Sequence, residues 1–239
     1  MWLKPILQVD APEKHLLFFP WAGAGIEGVF PWRKLLPPRV AFSGVQLPGR
    51  GSRFGEKPAS SLETIIEETV AAIAAAKQKP TVLYGHSFGA LLAYEVCDRL
   101  EQRSIARIER LVVSGASAPT HLSQEQRIAH LSEEDFFSEV KALNGIPPQL
   151  LAIPNMVKLF LPILRADFEV YERYTFDTAR APIRSPIVVC TGREDPCTSE
   201  EGIACWRQMT SGPCEIHVFD GGHFFIEAHS QHILRLALA

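Results

Sequence analysis

The sequence predicts an α/β protein in which helices flank a mostly parallel sheet. Short apolar runs alternate along the chain with longer segments of helical periodicity, the pattern of strands connected by helices. Some runs are apolar throughout, as in Ile187–Cys190, which is typical of parallel strands that are buried on both faces. Because 239 residues suffice for one continuous core, we expect a single domain over 1–239.

The predicted strands are the apolar runs, and the predicted helices lie between them. The strands are His15–Phe19, Val40–Gln46, Thr81–Tyr84, Arg110–Val113, Pro186–Cys190 and Glu215–Phe219. Ser60 and Glu63 form a capping box that begins a helix ending near Lys77. The other helices of this alternation are Phe88–Gln102, Glu200–Gln208 and Ile226–Leu238.

Composition excludes several classes of protein. A net charge of −3 without a run of Lys or Arg argues against nucleic acid or an anionic membrane as a partner. No apolar stretch approaches the ~18 residues of a membrane-spanning helix, and the N-terminus lacks the features of a secretory signal. We therefore expect a cytoplasmic protein that acts as a monomer. The five cysteines include no C-x-x-C pair, which favours unpaired thiols over disulfides or a zinc site.

The strongest local signal is the G-x-S-x-G sequence at Gly85–Gly89. It follows the apolar run Thr81–Tyr84 and precedes a helical pattern, and in that context the motif forms a sharp strand-to-helix turn. Such a turn raises the serine hydroxyl above the sheet edge and places the next N–H at a helix N-terminus. The motif therefore predicts Ser87 as a nucleophile on an α/β-hydrolase fold. A glycine-rich turn with an incidental serine is the alternative.

A serine nucleophile needs a base, and in this fold the acid and then the histidine follow the serine along the chain. His223 is the preferred base because Gly221 and Gly222 let its loop turn sharply after the last predicted strand. The other candidates are less well placed: His217 lies in a strand, His229 and His232 in the last helix, and His86 in the turn itself.

The acid is predicted to follow the strand that ends at Cys190, since α/β sheets place their ligands at the carboxyl ends of strands. Asp195 and Glu194 are adjacent there, and we prefer Asp195, which Pro196 restricts to an extended conformation. Its role is to orient the imidazole and stabilise the imidazolium. Asp220 and Asp167 are less favoured by position.

An oxyanion formed at Ser87 requires two N–H donors. The main-chain N–H of Phe88 is one, given by the turn. The second is expected from the glycine-rich loop after the first predicted strand, where we choose Ala22 with Trp21 as the alternative.

The segment from about 116 to 184 interrupts the strand–helix alternation. It is much longer than an ordinary connection and carries its own helical patterns, such as Phe136, Phe137, Val140 and Leu143. Helices inserted after a central strand commonly form a lid over the active site in this fold. A simple extension of the core is the alternative.

At this point the sequence resembles a known family: the type II, or editing, thioesterases that accompany nonribosomal peptide and polyketide synthases. The resemblance covers nearly the whole chain. It rests on Phe19–Gly23, Val45–Arg53 (VQLPGRGSR), Gly85–Ala90, Ser114–Pro119, Leu161–Phe168 (LPILRADF), Asp195–Pro196 and Gly221–Phe225. The V-Q-x-P-G-R and L-R-A-D-F strings are much more specific than the G-x-S-x-G motif. Trp21 and Gly51-Ser52 depart from the commoner residues of the family.

The resemblance implies the site and the reaction. Ser87, Asp195 and His223 fall on the family's triad positions, the N–H groups of Ala22 and Phe88 fall on its oxyanion positions, and the helical insertion corresponds to its mobile lid. The implied reaction is hydrolysis of acyl thioesters on the phosphopantetheine arm of acyl or peptidyl carrier proteins, without metal or cofactor. Apolar residues of the insertion are candidates to line an acyl chamber, with core packing as the alternative: Leu159, Phe160 and Ile163.

Three other functions remain open from the sequence. A chain-terminating fatty acyl-carrier thioesterase would use the same triad. A small-ester hydrolase or lipase is disfavoured by the two specific strings. A binding protein that kept the fold and lost the chemistry is the third.

Overall fold

The computed structural model describes residues 1–76, 79–122, 127–143 and 154–239, apart from the side chains of 154–156. Its centre is a seven-stranded sheet in the order β1-β3-β2-β4-β5-β6-β7. The strands are β1 (Leu3–Leu7), β2 (Lys14–Phe19), β3 (Val40–Val45), β4 (Thr81–His86), β5 (Ile108–Ser114), β6 (Ile187–Gly192) and β7 (Cys214–Phe219). All neighbours are parallel except β1, which runs antiparallel to β3. The predicted α/β fold is confirmed.

Strand β1 was not expected from the sequence. It is an edge strand whose residues are half-buried or exposed, so it lacks the continuous apolar run of the inner strands. Pro5 lies within it, where an outer strand tolerates a missing N–H and a central strand does not. A sequence pattern that identifies doubly buried strands therefore misses this one.

Helices pack on both faces of the sheet. They are α1 (Leu62–Ala75), α2 (Phe88–Gln102), α3 (Glu133–Ala142), α4 (Pro154–Glu172), α5 (Glu200–Ala204) and α6 (Ile226–Leu238), with a 3₁₀ helix at Cys205–Gln208 extending α5. The bounds of α2 and α6 match the prediction. The capping-box prediction at Ser60 was wrong by one residue: Ser61 caps α1 by accepting a hydrogen bond from the N–H of Thr64. Two adjacent serines offer the same cap chemistry, and the chain direction entering the helix selects between them.

Alternate residues of each inner strand enter opposite apolar layers. On β2, Leu17 and Phe19 pack in the layer that holds α1 and α2. Leu16 and Phe18 face the other layer, which α6 covers. This two-sided burial is the reason that the inner strands read as unbroken apolar runs. No described helix is both long enough and apolar enough to span a membrane.

The chain between β5 and β6 contains α3 and α4, within the predicted 116–184 insertion. They share an apolar cluster of their own, in which Phe136 and Val140 of α3 are buried with Leu161 and Leu164 of α4. Residues 123–126 and 144–153 of this segment lie outside the described residues. The insertion is thus a helical layer stacked beyond the main sheet.

A buried ion pair ties this layer to the sheet. Asp167 on α4 accepts hydrogen bonds of 2.8 Å from both terminal nitrogens of Arg50, which follows β3. Its Oδ2 also accepts a 2.7 Å bond from the N–H of Gly23, in the loop after β2. Both charged side chains are almost fully buried. The pair therefore joins three segments that are remote in sequence.

Replacement of Asp167 by alanine should destabilise the protein strongly. The change leaves the Arg50 guanidinium buried without its partner, and breaking such a pair costs about 3–5 kcal/mol in the free energy of unfolding. Urea denaturation measures it. The exposed pair of Arg39 and Glu13 is the control, since Glu13→Ala should cost less than about 1 kcal/mol. The double variant Arg50→Met/Asp167→Leu should recover most of the loss, and equal losses in Asp167→Ala and Glu13→Ala would contradict this account.

Candidate active site

Ser87 occupies a strained turn between β4 and α2. Its backbone has φ 55° and ψ −121°, a conformation that a residue with a side chain rarely adopts. The turn is fixed on both sides: the Ser87 N–H donates to the carbonyl of Ser114 (2.8 Å), and the Ser87 carbonyl accepts from the N–H of Ala90 (2.8 Å). The side chain is half-buried and faces a cavity.

The glycines of the motif are required by close backbone contacts. A Cβ at Gly85 would lie 2.1 Å from the carbonyl oxygen of Gly89, and a Cβ at Gly89 would lie 2.1 Å from that of Phe19. Real Cβ atoms do not approach oxygen so closely. The end of β2, the turn and the start of α2 are therefore in direct backbone contact, which brings the loop after β2 to the side of Ser87.

Asp195 and His223 meet as a buried pair. The His223 Nδ1 lies 3.0 Å from both carboxylate oxygens of Asp195, and both residues are buried. The N–H of Cys197 donates to Asp195 Oδ1 at 2.9 Å and so holds the carboxylate in place. Glu194, the alternative acid, is exposed. The geometry therefore supports the preference for Asp195.

The surroundings of His223 raise the pKa of its imidazole. Burial lowers the pKa of the imidazole, but the contacts with Asp195 and Cys197 raise it by more, so the net shift is upward. An environment of this kind stabilises the imidazolium that forms when the ring accepts a proton.

The other histidines lie elsewhere. His86 is fully buried beneath the turn, where its Nδ1 lies 2.7 Å from the Ser114 hydroxyl and its ring centroid 5.0 Å from that of His223. Burial, followed by the nearby His223, lowers the pKa of His86 well below its ordinary value, so it packs as a neutral ring. His229 contacts the carbonyl of Asp220. The Asp220 carboxylate is exposed and faces Arg193.

A cavity of about 400 Å³ lies beside these groups. Ser87 lines it beside Gly115, and a Cβ on Gly115 would lie 3.4 Å from Cε1 of His223. The imidazole thus borders the wall on which Ser87 lies. The rest of the lining comes from several loops and from the insertion: Ala22, Phe88, Ala116, Ser117, His121, Leu122, Leu143, Phe168, Tyr171, Glu172, Tyr174 and Pro196–Ser199.

Ala22 and Phe88 both line this cavity, whereas Trp21 does not. Within the described part of the chain, the N–H groups of Ala22 and Phe88 donate to no protein acceptor, while the neighbouring N–H of Gly23 is bonded to Asp167. Trp21 is instead packed edge-on against His86 and Phe224. This arrangement supports Ala22 over Trp21 as the second oxyanion donor.

The predicted acyl-chamber residues lie outside the described lining. Leu159 is exposed, Phe160 packs against Gly23, and Ile163 is buried. The cavity is lined instead by Phe168 and Tyr171, from later turns of the same helix. The geometry does not support the prediction, because helical periodicity identifies an apolar stripe without showing which turn of that stripe faces the site.

Two lining residues were not singled out by the sequence. The exposed Cys197 belongs to the only group of three potential metal ligands found among the described residues, together with Asp195 and His223. Glu172 accepts hydrogen bonds from the N–H groups of Ile128 and Ala129, which fix its carboxylate at the cavity. The adjacency of Cys197 to Asp195 in sequence was visible, but nothing in the sequence marked Glu172.

The comparisons with known proteins agree with this architecture. Gramicidin S biosynthesis protein GrsT of Aneurinibacillus migulanus is 32% identical over 217 residues, which cover 91% of this chain and 84% of GrsT. The medium-chain S-acyl fatty acid synthase thioesterase of Rattus norvegicus is 31% identical, with coverage of 88% of this chain and 81% of the rat protein.

Among solved structures, the type II thioesterase BorB from the borrelidin biosynthetic cluster superimposes with a TM-score of 0.90. The two sequences are 30% identical, and the match covers 98% of this chain and 95% of BorB. Residues 14–239 also match the model of the thioesterase domain family. The chain therefore belongs to the thioesterase domain family, and the resemblance noted in its sequence is confirmed.

Proposed function

We propose that this protein hydrolyses acyl thioesters carried on the phosphopantetheine arm of carrier proteins, with Ser87 as nucleophile, His223 as general base and Asp195 as its orienting acid. The observation that carries the proposal is the buried Asp195–His223 pair, whose imidazole lies against Gly115, a neighbour of Ser87 in the cavity wall. Each member follows the carboxyl end of a different parallel strand, where this fold places its active site.

The reaction proceeds through an acyl-enzyme. His223 accepts the Ser87 proton as the hydroxyl oxygen attacks the thioester carbonyl, and the oxyanion is held by the N–H groups of Ala22 and Phe88. The tetrahedral intermediate then expels the pantetheine thiolate, which takes the proton from His223 and leaves as the thiol. Water attacks the acyl-Ser87 ester with the same histidine as base, releasing the acid. No step requires a metal or a cofactor.

The carrier-bound substrate follows from the relatives. GrsT is named for gramicidin S biosynthesis, and BorB is described as a type II thioesterase of a biosynthetic cluster. By analogy, this chain acts in an editing role, releasing stalled or aberrant acyl groups from a nonribosomal peptide or polyketide synthase. Helices α3 and α4 form the lid, and Phe168 and Tyr171 are the part of it that faces the acyl group.

The chemistry of the cavity favours editing over termination of fatty acyl chains. The wall is apolar over most of its area, but polar side chains interrupt it: Ser117, His121, Glu172 and Ser199. The Glu172 carboxylate accepts hydrogen bonds from two main-chain N–H groups, and a long alkyl chain placed against it would remove its remaining contact with water. A short or polar acyl group avoids this penalty. The rat enzyme, named for medium chains, represents the alternative function.

Ser87→Ala should lower kcat by at least about 10⁴-fold, since the nucleophile is lost. The measurement is release of acyl group from an acylated carrier protein. Ser117→Ala, which removes another hydroxyl from the same cavity, should stay within about tenfold of wild type. A fluorophosphonate probe should label wild type but not Ser87→Ala. Absence of labelling in wild type would favour a binding protein instead.

Asp195→Asn should lower kcat by about 10³–10⁴-fold with little change in KM, because the amide stabilises the wrong tautomer of His223. The adjacent Glu194→Gln is the matched control, and its exposed side chain predicts a rate near that of wild type. Steady-state kinetics on one acyl carrier separate the two. Equal losses of kcat in both variants, or a loss only in Glu194→Gln, would show that Asp195 is not the orienting acid.

A panel of acyl carriers should reveal the substrate class. We expect kcat/KM for acetyl and aminoacyl carriers to exceed that for a decanoyl carrier by at least about tenfold, since the Glu172 carboxylate in the cavity wall disfavours a long alkyl chain. Free coenzyme A thioesters and soluble esters in the same assay test the need for a carrier. A preference for decanoyl would support chain termination, and faster turnover of soluble esters would support a lipase-like activity.

A further inference from the structure

Three different ligand types converge beside the cavity. One potential metal-binding atom from each of Asp195, Cys197 and His223 lies within 4.8 Å of the other two. The carboxylate and imidazole are buried and already in contact, whereas the thiol is exposed. A cation from solvent can therefore approach the cluster from the sulfur side.

The donor set suits a thiophilic divalent cation. One thiolate, one imidazole and one carboxylate are ligands of Zn²⁺, at metal–ligand distances of about 2.0–2.3 Å. A tetrahedral site with these distances needs ligand atoms roughly 3.3–3.7 Å apart. The sulfur, at most 4.8 Å from the other two ligand atoms, must approach them by up to about 1.3 Å, whereas Nδ1 of His223 and the Asp195 oxygens, 3.0 Å apart, must move slightly farther apart. The exposed Cys197 side chain supplies that movement, because its sulfur already interacts with His223 and otherwise makes a 3.6 Å contact with the Leu143 carbonyl.

We propose that Asp195, Cys197 and His223 bind Zn²⁺ and that this binding reversibly inhibits the enzyme. The cysteine thiol loses its proton to solvent when sulfur binds, and His223 contributes a lone pair. Coordination through Nε2 blocks the base directly. Coordination through Nδ1 replaces the Asp195 hydrogen bond and leaves the ring proton on Nε2, where it prevents acceptance of the Ser87 proton.

Three protein ligands leave a fourth position for water or for another soft ligand. The thiol released in the proposed reaction is such a ligand, and it forms in the same cavity. Inhibition rests on the proposed function, whereas zinc binding does not.

Inhibition is tested with Cys197→Ala against Cys214→Ala. Cys214 lies at the amino end of β7, whereas Asp195 and His223 follow the carboxyl ends of β6 and β7. The two sites are therefore at opposite ends of these parallel strands. Initial rates on an acyl carrier are measured against zinc chloride, in thiol-free buffer, with zinc in excess over released thiol. Each variant is compared with its own metal-free rate.

Wild type and Cys214→Ala should be inhibited at the same zinc concentration and restored by EDTA, whereas Cys197→Ala should require at least about tenfold more zinc. Mg²⁺ and Ca²⁺ should not inhibit, because they prefer oxygen ligands. Equal zinc sensitivity of wild type and Cys197→Ala would overturn the proposal.

Binding is measured separately by calorimetric titration of zinc into Ser87→Ala and Ser87→Ala/Cys197→Ala. The first should bind one equivalent, and the second should bind at least about tenfold more weakly. Equal affinities would overturn the site. If wild type hydrolyses no thioester while Ser87→Ala binds zinc through Cys197, the proposed function fails and the metal site stands.

Discussion

The close approach of three backbone segments at Ser87 is the constraint on which the site depends. Gly85 and Gly89 allow β4, α2 and the end of β2 to touch without intervening side chains. That contact holds Ser87 at a positive φ and brings Ala22 to the same cavity as Phe88. The proposed nucleophile and oxyanion donors are thus positioned by one packing arrangement, since any side chain at either glycine would separate the segments that carry them.

The buried Arg50–Asp167 pair extends this arrangement to the helical insertion. Burial raises the pKa of the Asp167 carboxyl even though Arg50 acts to lower it, so the desolvation of these charges is not fully offset. The pair is better understood as a geometric device. It fixes α4 against the loop that carries Ala22 and Gly23, and Phe160 on the same helix packs over Gly23. A movement of α4 would therefore displace the loop that carries Ala22 and Gly23.

The chemistry of Asp195 and His223 has a second consequence. A carboxylate and an imidazole held in contact suit proton transfer, and the same lone pairs suit a metal ion. Cys197 adjoins this pair and supplies a third potential metal ligand, which an apolar side chain at the same position would not. The proposed catalysis and the proposed inhibition thus compete for the same atoms.

The sequence by itself determined six of the seven strands, most of the helices and the positions of the residues proposed to react. Inner strands and amphipathic helices leave local periodic patterns, and the G-x-S-x-G motif and the glycines before His223 mark turns at strand ends. Patterns of this kind involve residues that are close in sequence, so they can be identified before the tertiary structure is known. Even the specific VQLPGR and LRADF strings contained Arg50 and Asp167 without showing that they pair.

Only the tertiary structure decided which remote residues meet. It buried Asp195 against His223 and left Glu194 exposed, placed Phe168 and Tyr171 at the cavity instead of Leu159, Phe160 and Ile163, and brought Cys197 to His223. It also added β1, whose pairing with β3 compensates for a weak strand pattern. The physical reason is common to all of these: burial and contact depend on the packing of elements far apart in the chain, and periodicity specifies a face of an element without specifying what that face meets.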